Sequence, residues 1–485
     1  MGLFSLLPIL LSLLAAFIVY AFKYDKVKQK NIILSIIVIL IFISCLLNCF
    51  LKDDLRIELF KMAEILNIAF KVDSLSNFFS VAISFVWIIV TFYTFEYIKH
   101  EKNENRFYTF FFSTLAMLIA LCYSANLVTM YLSFEFITLL SMPLVLHSLT
   151  KESIAAAKKY LFYSIGGAFL ALLGIFYLVA YSGNADFGSW GGMEVFKNFT
   201  GNKTIFDVVI FMLIVGFATK AGMFPLHGWL PSAHPVAPSP ASAVLSGVIT
   251  KAGVIAIIRV VYYVIGPEFI ANTWVQYAWL SLATFTVLLG SLLAYFEKTF
   301  KKRLAYSSVS QLSYILVGLA FLTSTSFTGA LIHVAAHMLI KVCLFLFAGE
   351  MIYKFHKHKV DEFDGIGKIM PVSTWAYTFA SLGLVGIPMT AGFISKWYLA
   401  TSAVESSVAV FNWLVPVILL ISAILTAGYL FPITIKGFFT SGKTYEKNEA
   451  KPLMYVPMMI LSILVLFIGI YSQPLLDLIN LIIGK

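Results

Sequence analysis

The sequence predicts an all-α integral membrane protein of about fourteen transmembrane helices, and three observations carry that prediction. Of 485 residues, 60% are hydrophobic and only 12% are charged, roughly half the charged share of a soluble domain. Mean hydropathy is +0.91, so a water-soluble fold of this length would lack the polar residues to cover its surface. Apolar runs of roughly 18–25 residues recur along the whole chain with short connections between them. Each run must be a helix, because open sheet edges go unsatisfied in hydrocarbon. A secreted soluble protein, a cytosolic enzyme and a disordered scaffold are excluded by the same figures.

The runs centre, in order, near residues 12, 41, 87, 116, 137, 171, 214, 253, 285, 314, 338, 386, 422 and 463. Span 1 (3–22) has neither a basic leader nor a small-residue cleavage site, so it reads as a membrane helix rather than a signal peptide. The remaining spans follow with no soluble domain, no Gly/Ser linker and no low-complexity tail. The expected organisation is one polytopic domain, 1–485, in which 1–106 holds spans 1–3 and 453–485 the C-terminal helix. Two repeats are expected between them, spans 4–8 over 107–265 and spans 9–13 over 275–435. Spans 7 and 12 motivate the repeats: each is interrupted beside a buried lysine, and span 12 follows span 7 by five spans, an odd number, so the two run in opposite directions.

The net charge of +10 does not point to nucleic acid, because the basic residues form short clusters between spans rather than one face. They set topology instead. Loops 1–2, 3–4, 5–6, 7–8, 9–10, 11–12 and 13–14 carry 4, 3, 3, 0, 4, 4 and 4 Lys+Arg, 22 together, against six in the others. That bias places this set in the cytoplasm and both termini outside, with Lys485 as one further basic residue. Arg259, near a span end, is expected to snorkel to the interface. The cysteines (Cys45, Cys49, Cys122, Cys343) show no metal-ligand, disulfide or haem spacing. Asn198 and Asn202 begin glycosylation-like triplets that chance accounts for.

Four lysines and a glutamate lie inside spans: Glu135 in span 5, Lys220 in 7, Lys251 in 8, Lys341 in 11 and Lys396 in 12. A charge at mid-membrane costs at least about 2.5–3.5 kcal/mol, so each needs a partner or a wet cavity. Pro225 clashes with the carbonyl of Ala221 and should break span 7 beside Lys220. Pro388, with Gly383, Gly386 and Gly392, should break span 12 ahead of Lys396. His333, His337 and Lys341 are spaced by four and form one stripe rising about 12 Å along span 11. A proton relay needs such closely spaced groups that both take and release a proton. A static Glu135–Lys220 ion pair is the plainer reading of those two residues, and metal binding by the two histidines is the rival reading of the stripe, without a third ligand in view. Burial lowers a lysine's proton affinity and a nearby carboxylate restores it, so Lys220 beside Glu135 makes a switchable donor towards Lys251. The proline-rich 225–243 reads as a rigid cap between spans 7 and 8, with His234 a candidate cytoplasmic proton-uptake group. Asp73, before span 3, is as consistent with a surface role as with a functional one.

Several blocks resemble the antiporter-like subunits of the complex I superfamily: the large membrane subunits of bacterial NADH–quinone oxidoreductase, the D and A subunits of Mrp-type sodium/proton antiporters, and their hydrogenase and formate hydrogenlyase relatives. The most specific block is GFATKAGMFPLHGWLPSAHPVAPSPASAVLSGVITKAGV at 216–254. KRLAYSSVSQLSYI (302–315), the HVAAHMLIK stripe, GIPMTAGFISKW (386–397) and the weaker KVDSLSNFF (71–79) extend it over most of 71–397. The resemblance implies fourteen core helices with the two repeats. It also implies that Glu135 and Lys220 are the first half-channel pair, Lys251 the link, His333, His337 and Lys341 the central relay, and Lys396 the exit site. Lysine rather than glutamate at 396 argues against one complex I subunit type. The lack of a long amphipathic helix between span 14 and Lys485 argues against the subunit bearing a lateral arm.

The expected function is translocation of protons, or Na+ against protons, by a membrane subunit of a larger complex that does no bond chemistry and carries no cofactor or metal itself. Its expected partners are other membrane subunits of a complex I-like, hydrogenase or Mrp assembly, in the cytoplasmic membrane. The alternative is a redox-free Mrp-type Na+/H+ antiporter, in which the chain would be the D component. A stand-alone solute carrier, which would need a roomy polar mid-membrane pocket, is a further one.

Overall fold

A computed structural model describes residues 2–22, 27–50, 56–61, 63, 66–440 and 446–484. Lys23, Lys26, Lys52, Lys443 and Lys485, which entered the loop-charge comparison, lie outside them. The first half contains α1 (Leu7–Ala21), α2 (Val27–Asn48), α3 (Ser74–Tyr97), α4 (Glu104–Cys122), α5 (Leu127–Val145), α6 (Lys151–Ser182), α7 (Lys203–Ala221), the short α8 (Leu230–Val236) and α9 (Ser239–Ile265). The second contains α10 (Trp274–Phe296), α11 (Phe300–Ala320), α12 (Ser324–Phe355), α13 (Pro371–Val385), α14 (Ala391–Val404), α15 (Phe411–Phe439), α16 (Pro452–Ile470) and α17 (Gln473–Ile483).

Among the described residues, twelve helices are long and apolar enough to cross a membrane. Two expected spans stand apart from them. That near 314 is α11, 21 residues long but the more polar because it carries KKR and a run of serines and glutamine. That near 386 is the pair α13 and α14, each too short to cross alone. A feature absent from the sequence reading is a two-stranded antiparallel hairpin, β1 (Arg56–Lys61) with β2 (Asn67–Lys71), between α2 and α3. Its β2 bonds the turn after α4 through Lys71 N to Tyr123 O and Ala125 N to Ala69 O.

Burial sorts the helices into layers. The apolar windows of α9 and α12 are 100% and 94% buried, against 33% for α15 and α16. The two helices bearing Lys251 and the His/Lys stripe are therefore the centre of the molecule. Starts are capped by side chains that take otherwise unpaired N–H groups: Asn126 on α5, Thr150 on α6, Asn202 on α7 and Thr323 on α12.

Candidate functional site

The site begins where α7 stops. The helix ends at Ala221, and Gly222 closes it at φ 75°, a left-handed backbone in which a side chain would be strained. Lys220 thus lies in the last turn and is 1% exposed. Its ammonium donates to Thr138 Oγ1 at 2.5 Å and Tyr160 OH at 3.1 Å. The expected ion pair with Glu135 is not closed. Glu135, half-buried, acts on Lys220 through space, and its Oε1 is buried without a donor. Thr138, the acceptor of the Lys220 ammonium, is one turn from Glu135 on the same face of α5.

Behind Lys220 runs α9. A Cβ on Gly253 would come within 2.3 Å of Phe217 O and 3.1 Å of Lys220 Cβ, so glycine is what lets α9 lie directly on α7 there. Two residues earlier, Lys251 points the other way, towards α12. The turn Leu245–Ile249 is a wide π turn, a form often found at functional positions. Its Ser246 carbonyl accepts from Thr250 Oγ1 and from Lys251 Nζ, each at 2.8 Å. Lys251 Nζ also lies 2.6 Å from His337 Nδ1. With the ammonium donating, His337 Nδ1 accepts and Nε2 carries the ring hydrogen. The approach of the two helices again depends on glycine, since a Cβ on Gly247 would lie 2.4 Å from Val342 Cγ2.

His333 continues the line, its ring centroid 6.2 Å from that of His337. Its Nδ1 is 2.8 Å from Ser395 Oγ, and that hydroxyl donates to Gly392 O at 2.9 Å. The hydroxyl proton is thereby committed, so His333 Nδ1 donates and Nε2 is left as an acceptor. The hydrogen on His337 and the lone pair on His333 are thus both Nε2 atoms, and neither has another partner among the described residues.

The far end is built on the second interruption. α13 ends at Gly386, φ 88°, and α14 begins after Thr390. The half-buried Lys396 reaches back from α14 to Leu384 O at 2.6 Å and Val385 O at 2.8 Å. Those carbonyls are the unpaired, negative end of α13, which favours a cation. Lys396 Nζ and the His333 ring both face Tyr314, at 5.1 Å and 5.3 Å. Lys341, in contrast, turns to α11, donating to Leu304 O at 3.0 Å and to Ser307 Oγ. The buried file therefore runs Lys251, His337, His333, Ser395, with Lys220 and Lys396 at its two ends and Lys341 as a branch.

Several sequence expectations change. Arg259 does not snorkel to the interface: it is 2% exposed and clamps Asp73 through two bonds of 2.6 and 2.8 Å. Asp73 is half-buried and stands apart from the file. It caps α3 through Ser76 N at 2.8 Å and holds Arg259 in place. Lys301 and Arg303, counted as loop charges, are 5% and 8% exposed, bonded to Ala237 O and Tyr429 O. The proline-rich segment keeps its expected place between α7 and α9 and folds there into α8, where His234 is 0% exposed and stacks on Phe345 at 4.6 Å. The sequence reading passed over Glu96, tied to Lys99, Lys451 and Tyr353, and the fully buried Glu350. An acid following the apolar VCLFLFAG of span 11 was the available signal for the latter. No group of three or more His, Cys, Asp and Glu among the described residues is arranged to hold a metal.

The profile of the NADH:quinone oxidoreductase/Mrp antiporter transmembrane family matches residues 124–426, which contain every member of the file. The chain belongs to this family. The profile described as NADH-ubiquinone oxidoreductase (complex I), chain 5 N-terminus, matches 63–108 as well. NADH-quinone oxidoreductase subunit N of Desulforudis audaxviator is 30% identical over 84% of this chain and 82% of its own. Hydrogenase-4 component B of Escherichia coli is 31% identical over 84% of this chain, which spans 63% of that relative's length. The fold is that of a chain in the Mrp complex of Dietzia sp. DQ12-45-1b, with a TM-score of 0.87 at 19% identity, over 100% of this chain and 97% of that one.

Proposed function

We propose that this family member moves protons across the cytoplasmic membrane as one subunit of a complex I-like or hydrogenase-type assembly. The single observation that carries this is the direct Lys251–His337 contact at 2.6 Å, which joins the two interrupted halves through groups that exchange protons. In this reading Lys220 is loaded by Glu135 and hands a proton towards Lys251. His337 receives it on Nδ1 and releases one from Nε2, His333 follows, and Lys396 discharges at the α13 break. Lys341, turned to α11, branches from the central relay, and the buried His234 is the candidate for proton uptake from the cytoplasmic side. Two inverted repeats, spans 4–8 and 9–13 of a fourteen-span core, fit the matching stops at Gly222 and Gly386. The loop charges favour both termini outside. The redox groups would belong to partner subunits.

The Mrp antiporter reading, with Na+ as the counter-ion, has the Dietzia fold match in its favour. A solute carrier does not fit: a cavity of about 520 Å3 is lined by apolar side chains such as Phe78, Phe85, Met338 and Leu464, and lies beside the file rather than in it. The native complex, extracted gently and reconstituted in vesicles, separates these readings. Proton movement driven by an electron donor, with iron-rich partners in the preparation, is the expected result. Proton movement driven only by a Na+ gradient, with no metal present, would replace it by the antiporter reading. Movement of neither would overturn both.

A further inference from the structure

The buried charge without an assignment lies outside the file. Glu350 is on α12, nine residues beyond Lys341, which puts it about 13.5 Å further along and on the opposite face. It is 0% exposed, and neither carboxylate oxygen has a donor among the described residues. The ionic groups around it are all engaged elsewhere. On its own helix, Lys354 donates to Asn448 Oδ1 and Glu449 O, each at 2.8 Å, and Tyr353 donates to Glu96. From α3, Tyr93 gives its hydroxyl to Leu346 O, and Glu96 holds Lys99 and Lys451. From the segment before α16, Glu449 takes Val372 N and Ser373 Oγ, each at 2.8 Å, at the start of α13.

Glu350 has no solvent-accessible surface of its own, but a cavity reaches it. Glu350 lines this cavity of about 180 Å3 together with Tyr353, Lys354, Asn448, Glu449 and Lys451. Asn448 and Lys451 are exposed at its mouth. A carboxylate deprived of donors is costly to keep charged, whereas the acid form needs no counter-charge. A metal cation in place of the proton is opposed by two lysines on the same cavity wall. Inward, Tyr93 and Ser239 pack against Gly349, the neighbour of Glu350, and Ser239 opens α9, the helix that carries Lys251.

We infer that Glu350 is a second proton-binding site, taking protons from water through the cavity between the end of α12 and residues 448–454, apart from the Lys/His file. One proton from a hydronium ion in the cavity adds to a carboxylate oxygen, giving the acid and water, and transfer of that proton to a second water restores the carboxylate. The inference rests on the proton-transport reading above.

Infrared difference spectra of the full reconstituted complex, recorded as pH is stepped, test it. The protonated-acid carbonyl band that titrates in the parent should vanish in Glu350→Gln and move in Glu350→Asp. Proton movement should fall several-fold in Glu350→Gln, most strongly at high pH on the side of the cavity, with part of it restored by Glu350→Asp. A titrating band that survives in Glu350→Gln would overturn the assignment. Loss of the band with unchanged proton movement would overturn the uptake role. The band reports on Glu350 whether or not the Lys/His file conducts, so its failure is distinct from failure of the relay.

Discussion

Lys251→Met should stop proton movement while leaving the chain folded in the membrane. The methionine stem fills the same space between α9 and α12, and removal of a buried charge in favour of a similar apolar volume is often neutral or stabilising. What is lost is the one direct bond from α9 to the stripe among the described residues, since His337 Nδ1 would have no donor. Positioned acid–base groups typically contribute 10²–10⁴-fold, so the rate in vesicles with an internal pH dye should fall by at least about a hundredfold. Lys251→Arg should fail almost as badly. It keeps the charge, but a guanidinium does not release its proton in proteins, so a relay stops where an electrostatic spacer would not. An arginine variant that moves protons at the parent rate would contradict a proton-exchanging role for Lys251.

Asp73→Ala should instead cost folded protein. It removes a cap and strands Arg259, which is 2% exposed and whose other contacts among the described residues are Cys122 O at 3.5 Å and the faces of Phe187 and Tyr263. Breaking a buried pair from one side costs about 3–5 kcal/mol. The cap adds roughly 1 kcal/mol. The variant should accumulate poorly and lose its monodisperse peak at a much lower temperature in a detergent melting assay, and adding Arg259→Met should recover a large part of the loss. A single variant as stable as the parent would show that Arg259 finds water instead. The pair also sets an acid limit. Burial pushes the Asp73 carboxyl up, but Arg259 and the Ser76 N–H outweigh this and hold it below the 3.8 of a free aspartate. Its stabilisation is therefore present above that value and is lost as pH falls through the lower, folded one.

The contrast between these two residues and the file shows what a sequence can carry. Lys220, Lys251, Lys341, His333 and His337 stand out because each is a titratable group inside an apolar run, and the four-residue spacing on α12 needs no tertiary information. Pro225, Pro388 and Gly386 mark the interruptions for the same local reason. The pairings are not local. Arg259 and Asp73 are separated by 186 positions, and nothing in either neighbourhood distinguishes a snorkelling arginine from a clamped one. Whether Lys341 bonds His337 or Leu304 depends on which helix lies against its face. The π turn at Leu245–Ile249 depends on the fit of α9 against α11 and α12, and leaves no mark in the residue pattern. Glu350 escaped notice because its run is otherwise indistinguishable from the end of a membrane helix, and the cavity that gives it meaning comes from a segment about a hundred residues away.

The central claim is that protons cross by way of both interrupted helices and the file between them. It is tested most directly by proton movement in vesicles holding the native complex with Lys220→Ala in one preparation and Lys396→Ala in another. Each variant, present at parent levels, should lose proton movement by about a hundredfold, because each end of the file is required. Parent-rate proton movement in either variant would mean that protons take another route.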